Sequence, residues 1–215
     1  MSCGYGRSTR RAAERHEWFP PPSLGSWWMA ARDDPISGLV AWPGFFARLP
    51  ALLGEHLQTG RSVGLSIGQV EDLSGYVENM SAVDSGSFGH LAGVELATRL
   101  GATAREWLLD DDVRHGCLAT FGGGEIVFVA EARSEADYVE HVGRLRAALV
   151  DALPRSVSFV ATQLDASAVS AMVVDDGWRD FCVQVIARME RVLFAQLSAR
   201  RHHRPNLPIV TISVR

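Results

Sequence analysis

The sequence predicts an α/β fold of the α+β kind: a central, mostly antiparallel sheet of about five strands flanked by helices. Three observations carry this. Short segments with period-two alternation of apolar residues are interleaved with longer segments of helical spacing. Their order after a leading helix is β-α-β-β-α-β-α-β, which contains the split βαβ-βαβ unit and places helices on one face of the sheet. At the centre lies Thr120-Phe121-Gly122-Gly123-Gly124-Glu125-Ile126, three glycines and an acid between the apolar runs Cys117–Phe121 and Ile126–Ala130. That is a hairpin whose tip brings bare backbone close to something else.

Taken in order, Asp33-Asp34-Pro35 is a helix-start signal, followed by Leu39, Phe45, Phe46, Leu49, Leu52 and Leu53 at helical spacing as far as His56. Arg61 to Val70 alternates through Val63, Leu65 and Ile67 and opens onto Glu71-Asp72, a strand ending in acids. Ser74 to Ser87 is polar and rich in Gly and Ser, which suits a loop. Phe88 to Leu109 places Leu91, Val94, Ala97, Leu100, Ala104 and Leu108 on one helix face. After the hairpin, Ser134-Glu135 opens a helix carrying Val139, Val142, Leu145, Ala148 and Leu149, and Pro154 stops it. Arg155 to Leu164 alternates as a strand, Trp178 to about Arg201 is a long helix, and Pro208 to Val214 closes as a strand.

Residues 1–32 read differently from the rest. Arg7, Arg10, Arg11 and Arg15 precede Pro20-Pro21-Pro22 and the pair Trp27-Trp28, the composition of an N-terminal arm ahead of a domain over 33–215. Trp27-Trp28 is expected to pack on that domain.

Composition excludes some classes of function. The 215 residues are 47% hydrophobic and 21% charged, ordinary for a globular chain, and a net charge of -4 makes no case for nucleic acid or a membrane surface as partner. All 21 basic residues are arginine, so no side-chain ammonium is on hand for a Schiff base or a phosphate clamp. Cys3, Cys117 and Cys182 are far apart and lack CxxC spacing, which argues against a disulfide framework or zinc site and for a reducing cytoplasm. No apolar h-region or membrane span is visible.

With that order of elements, four segments resemble the GGDEF family, the diguanylate cyclase domain of bacterial signalling. Asp34-Pro35-Ile36-Ser37-Gly38-Leu39 is similar to its D-x-L-T-G-L motif, with Phe45 as the following aromatic. Gly89-His90-Leu91-Ala92-Gly93 matches G-H-x-x-G. Phe121 to Ile126 stands where the family has aromatic-G-G-D/E-E-F, and Leu193-Phe194 resembles the leucine-tyrosine of the last helix. The resemblance implies a palm-like nucleotidyl-cyclase fold from about Asp33 to Arg215. It also implies a reaction joining two GTP molecules, in which divalent metal neutralises the triphosphate.

The positions that would carry this chemistry depart from the family. The signature metal position is Gly124, which has no side chain, and the first-strand metal position falls on Gln69, a neutral amide. Glu71 and Asp72 are the nearby acids, and neighbours along a strand point to opposite faces, so at most one can substitute. Glu125 is retained. Val94 stands where a carboxylate reads the guanine edge, and Glu95 is turned roughly 100° away along the helix. Ser74 and Leu197 replace the family's lysines, and Arg200, Arg201 and Arg204 read as charges complementing the helix C-terminus. The product-inhibition R-x-x-D reads Val113-Arg114-His115-Gly116, and Met80 to Ser87 looks inserted.

The expectation is therefore a catalytically inactive GGDEF-like domain serving as a regulatory or protein-interaction module in the cytoplasm. A vestigial signature remains at Gly122, Gly123, Gly124 and Glu125. The candidate nucleotide contacts are these four with Asn79 and His90, the ligand being GTP or cyclic di-GMP. No cofactor is expected. Mg²⁺ enters only if activity persists, with Glu71, Asp72 and Glu125 as the weak metal candidates of a repurposed nucleotidyl transferase. Partners are a protein or a second copy, since the family reaction sets two domains face to face, with a guanine nucleotide as a further candidate.

Overall fold

The computed structural model describes residues 33–83, 90–110, 113, 116–166, 169, 177–201 and 207–214. The expected arm, Met1 to Arg32, lies outside them, as do Arg114, His115, Arg204 and the side chains of His90, Arg200 and Arg201.

Among the described residues the named elements are β1 (Val40–Ala41), α1 (Trp42–Gln58), β2 (Val63–Val70), α2 (Leu73–Val83), α3 (His90–Asp110), β3 (Cys117–Gly122), β4 (Glu125–Glu131), α4 (Glu135–Ala152), β5 (Val157–Leu164), α5 (Trp178–Arg201) and β6 (Ile209–Thr211). They build a six-stranded sheet in the order β1-β3-β4-β2-β5-β6. The four central strands are antiparallel, and the two short outer strands add parallel pairs, β1 on β3 and β6 on β5. The extra strand relative to the sequence expectation is the two-residue β1.

Helices cover both faces of the sheet, not one. Phe45, Leu49 and Leu53 of α1 and Phe181, Val185 and Met189 of α5 pack on Val63, Leu65, Ile67, Val127, Val129 and Val160. Leu100 and Leu108 of α3 and Tyr138, Val142 and Leu145 of α4 pack on Ile126, Phe128, Phe159 and Ala161. β2 therefore runs at the centre with almost every residue buried, although its sequence alternates apolar residues with Gly64, Ser66 and Gly68. Gly64 and Ser66 face Tyr138, whose ring fills the space a Cβ on Gly64 would take, and Gly68 faces the Phe159 ring in the same way. The Tyr138 hydroxyl donates to the Phe128 carbonyl (2.7 Å) and lies 3.0 Å from Ser66 Oγ, and its ring stacks on Phe128 with centroids 5.5 Å apart. Small residues on the strand thus read as a polar face while making room for a large aromatic.

Three local expectations are corrected. The first helix starts at Trp42, not at Asp33-Asp34-Pro35, because the Asp34 carboxylate is occupied by its own turn. Its Oδ2 accepts from both the Ser37 N–H and the Ser37 hydroxyl at 2.7 Å, and the Gly38 N–H bonds the Asp34 carbonyl at 2.7 Å. Pro43, in the first turn of α1, marks the true start. The segment expected as a loop after Ser74 is helical as far as Val83. Leu73, Tyr76, Val77 and Met80 recur at helical spacing, and Leu73 and Tyr76 pack partly on the α3/α4 core. Lastly, Leu91 is exposed and Val94 only half-buried; the buried stripe of α3 is Ala92, Leu96, Ala97, Leu100, Ala104 and Leu108.

The remaining helix signals hold locally. Ser134 Oγ accepts from the Asp137 N–H (3.1 Å) while Asp137 Oδ2 accepts from the Arg133 N–H (2.9 Å), a reciprocal cap at the start of α4. Among the described residues no helix is long and apolar enough to cross a membrane.

Candidate functional site

The glycine hairpin closes between β3 and β4, where Gly122 pairs with Glu125 after a register shift that begins at Ala119. Gly122, Gly123 and Gly124 have φ of +102°, +64° and +131°. Such backbone favours glycine, since a side chain would crowd its own main chain. Thr120 braces the tip from below: its hydroxyl donates to the Glu125 carbonyl (2.6 Å) and accepts from the Gly122 N–H (2.9 Å). The Gly124 N–H bonds the Gly122 carbonyl and the Gly124 carbonyl accepts from the Val70 N–H, both 2.9 Å. Two of the three glycine amides are thus spent inside the turn, and Gly123, at the exposed tip, supplies the third. A Cβ on Gly124 would meet Leu73 Cδ2 at 3.1 Å and Val70 Cβ at 3.4 Å. Beside the tip, Phe121 lies against Trp42 with ring centroids 3.9 Å apart, and Trp42 lies 5.1 Å from Phe46.

Register aligns the polar residues near the tip. Gln69 is opposite Glu125 on β4 and opposite Ser158 on β5, so Glu125, Gln69 and Ser158 form one row across three strands. The row lies on the α1/α5 face, two residues along from Val127, Ile67 and Val160 of that core. Glu125 is half-buried. Burial first, and then the Glu190 carboxylate of α5, push its carboxyl above the ordinary carboxylate range. Gln69 Oε1 is buried and has no hydrogen-bond partner among the described residues.

The other two acids are held elsewhere. Glu71 and Asp72 stand past the end of β2, in the turn before α2, so strand alternation does not govern them. Glu71 accepts from the Ser158 hydroxyl at 2.7 Å and its N–H bonds the Ser156 carbonyl. Asp72 has φ +50°, its carbonyl accepts from the Tyr76 N–H in the first turn of α2, and its carboxylate lies 3.8 Å from Arg155. Arg155 in turn sits over the Tyr76 ring, 5.6 Å from the centroid. A hard divalent cation wants about six oxygen ligands. The row instead offers Glu125, an amide and a hydroxyl already engaged by Glu71, and Gly124 adds no donor. These residues do not fit a Mg²⁺ cage, and among the described residues no group of three or more His, Cys, Asp or Glu could hold a metal ion.

The sequence-selected nucleotide residues stand on three parts of the fold: the hairpin, α2 and α3. Asn79 is exposed on α2 and His90 opens α3. Where these helices meet, Val77 Cγ2 lies 3.5 Å from the position a Cβ on Gly93 would take, and Val94 follows in the next position. This junction is apolar. Leu197, at the family's lysine position, is buried in the α1/α5 core, while Ser74 is exposed. Two contributors escaped the sequence reading. Thr120 brings a hydroxyl into an apolar run just before the glycines, a legible signal. Glu190 reaches Glu125 only through the packing of α5 on the sheet, which no local pattern reports.

The Asp34–Leu39 turn is built as a clip. The Ser37 carbonyl rests on Gly101 of α3, where a Cβ would lie 2.0 Å from that oxygen, and Arg105 Nη1 donates to the Gly38 carbonyl at 3.3 Å. The clip ties the start of the domain to α3.

The six-stranded sheet flanked by helices matches the fold of solved GGDEF domains. The GGDEF domain of DgcB from Caulobacter crescentus, solved with c-di-GMP, matches with a TM-score of 0.60 at 13% identity, over 85% of this chain and 93% of that one. The diguanylate cyclase SiaD from Pseudomonas aeruginosa, solved with its activator SiaC, matches with a TM-score of 0.61 at 14% identity, over 97% of this chain and 71% of that one. The FimX GGDEF domain from Pseudomonas aeruginosa matches with a TM-score of 0.59 at 14% identity, over 85% and 99%. No family model matches the chain. No curated protein matches its sequence.

Proposed function

We propose that this chain is a catalytically inactive GGDEF-like domain that acts as a regulatory or protein-interaction module in bacterial nucleotide signalling. The observation that carries the reading is the backbone of Gly124. At φ +131° and against Leu73, the position where a cyclase keeps a metal-binding acid disfavours any side chain. Gln69, Val94 and Leu197 support it, because metal, base and phosphate contacts are replaced together. The engagement of Glu71 by Ser158 and of Asp72 by Arg155 weighs against a rebuilt nucleotidyl transferase using them with Glu125. The structural likeness of SiaD, solved with a protein activator, is in keeping with a protein partner.

The test is incubation of the purified chain with GTP and Mg²⁺ or Mn²⁺, followed by chromatography for cyclic di-GMP. The expected result is no product. Turnover that Glu125→Ala abolishes overturns the proposal.

A second reading, a sensor that binds GTP or cyclic di-GMP without turnover, draws on the exposed Gly123 amide beside Glu125. Calorimetry against a nucleotide panel tests it: saturable heat reduced by Glu125→Ala supports the sensor, and no heat with any nucleotide removes it.

A further inference from the structure

β6 is an outermost strand, and its one neighbour among the described residues is β5. The Pro208 carbonyl accepts from the Phe159 N–H, and the Ile212 N–H donates to the Ala161 carbonyl, both at 2.9 Å. Backbone groups alternate sides along a strand. Those of Val210 therefore also face β5, and those of Ile209 and Thr211 point away from it, where no strand of the described residues pairs with them. The side chains of Ile212 and Val214, just beyond β6, turn to the α1/α5 core.

Just beyond β6, a groove of about 330 Å³ runs between Val214 and α5. Phe181 contributes to its lining, with Val183, Ala187, Arg188 and Arg191 along α5. Val183 is 47% exposed. Arg188 and Arg191 are both exposed, and among the described residues neither is in an ion pair. Among the described residues no acid lines the groove, although the chain as a whole carries a net charge of -4. Among the described residues, an outer strand with an unpaired side, an apolar trough just beyond it and two guanidiniums outside any ion pair thus stand together, Arg191 Nε donating only to the Ala187 carbonyl of its own helix.

We propose that the β6 edge and the α5 groove bind an extended acidic segment of a partner protein, which adds to the sheet as a further strand. Main-chain bonds to Ile209 and Thr211 would hold the segment, and alternate side chains would enter the groove: apolar ones against Val183 and Val214, carboxylates against Arg188 and Arg191. This rests on the interaction-module reading and gives it a location.

The probe is a fluorescein-labelled heptapeptide, Glu-Thr-Val-Thr-Val-Thr-Glu, whose odd positions share one face in an extended strand. Anisotropy with the full chain is expected to show saturable binding with Kd below about 1 mM, and about tenfold weaker binding when lysine replaces both glutamates. The double variant Arg188→Glu, Arg191→Glu is expected to lose about tenfold in affinity for the acidic peptide. Thr211→Pro removes an outward N–H, leaves the β5 ladder intact and suits an edge strand, so it is expected to abolish binding while circular dichroism stays unchanged. The same peptide N-methylated at alternate amides makes that test on the unaltered protein, and binding is expected to vanish.

No binding of the acidic peptide, equal affinity for the lysine peptide, or retained affinity after N-methylation overturns the proposal. So does dimerisation of the free chain that Thr211→Pro dissolves, which assigns the edge to a second copy. Cyclic di-GMP formation is followed in the same samples, so turnover with peptide binding, and absence of both, are separable results.

Discussion

The Asp34–Leu39 clip and the Gly122–Glu125 tip are both glycine turns at positions resembling GGDEF motifs, yet they differ in what surrounds them. The clip is anchored outward: one carboxylate takes two hydrogen bonds from Ser37, and the Ser37 carbonyl rests on Gly101 of another helix. The tip is anchored inward, by Thr120 and by its own backbone, while Gly122 and Gly123 have nothing within 4 Å of where a Cβ would lie. The clip's motif residues are needed whenever the domain folds, whatever it does. The tip carries no side chain at Gly124, and the sheet around it is intact. The difference teaches that the clip is held by packing on another helix, whereas the tip is held by its own strand pair.

The comparison is broken most sharply at Gly101. Gly101→Ala drives a methyl into the Ser37 carbonyl, and overpacking against backbone should cost about 3 kcal/mol in urea unfolding. A loss under about 0.5 kcal/mol would show that the clip is not a structural demand. Restoring the acid with Gly124→Asp should cost about 2 kcal/mol through backbone strain and contact with Leu73, with no cyclic di-GMP formed. An unstrained, active variant would place the tip among intact chemical sites. Thr120→Val keeps the shape and removes both hydroxyl bonds. It should cost about 1 kcal/mol, read as a lower denaturant midpoint at constant m.

The smallest effect is expected at Glu125→Gln. The folded protein holds this carboxyl above its unfolded range, so its contribution to stability is fully present below the unfolded value and is lost as pH rises through the folded one. The variant should be slightly more stable than the parent at pH 7, and the gap should close as pH falls through the carboxylate range. A gap that widens toward acid would mean that Glu125 is held as a stabilised anion, the behaviour of a carboxylate facing a cation.

Much of the scaffold was legible because its signals are local. The helix expected from Trp178 to about Arg201 forms over those residues, and Ser134 caps α4 as its position suggests. α2 was illegible because its stabilisation comes from partial packing: no residue of it is buried, and Ser74, Gly75 and Ser81 read as loop. The second helical layer was hidden for a related reason. Gly64 and Ser66 look solvent-facing until Tyr138 arrives from a helix some seventy residues on, and Gly68 until Phe159 covers it from β5, contacts no window along the chain contains.

By itself the sequence determined the order of the longer strands and helices, though not β1 or α2, together with the hairpin, the residues standing at Gly124 and Gln69, and the likeness of its turns to those of GGDEF domains, because residue identity and spacing are one-dimensional facts. Only the tertiary structure decided that Glu125, Gln69 and Ser158 make one row, that Glu71 is held by Ser158 and Asp72 sits beside Arg155, and that Glu190 crowds Glu125. Strand register and helix docking set these neighbours, and both arise from burial summed over the whole sheet rather than from any single stretch of chain.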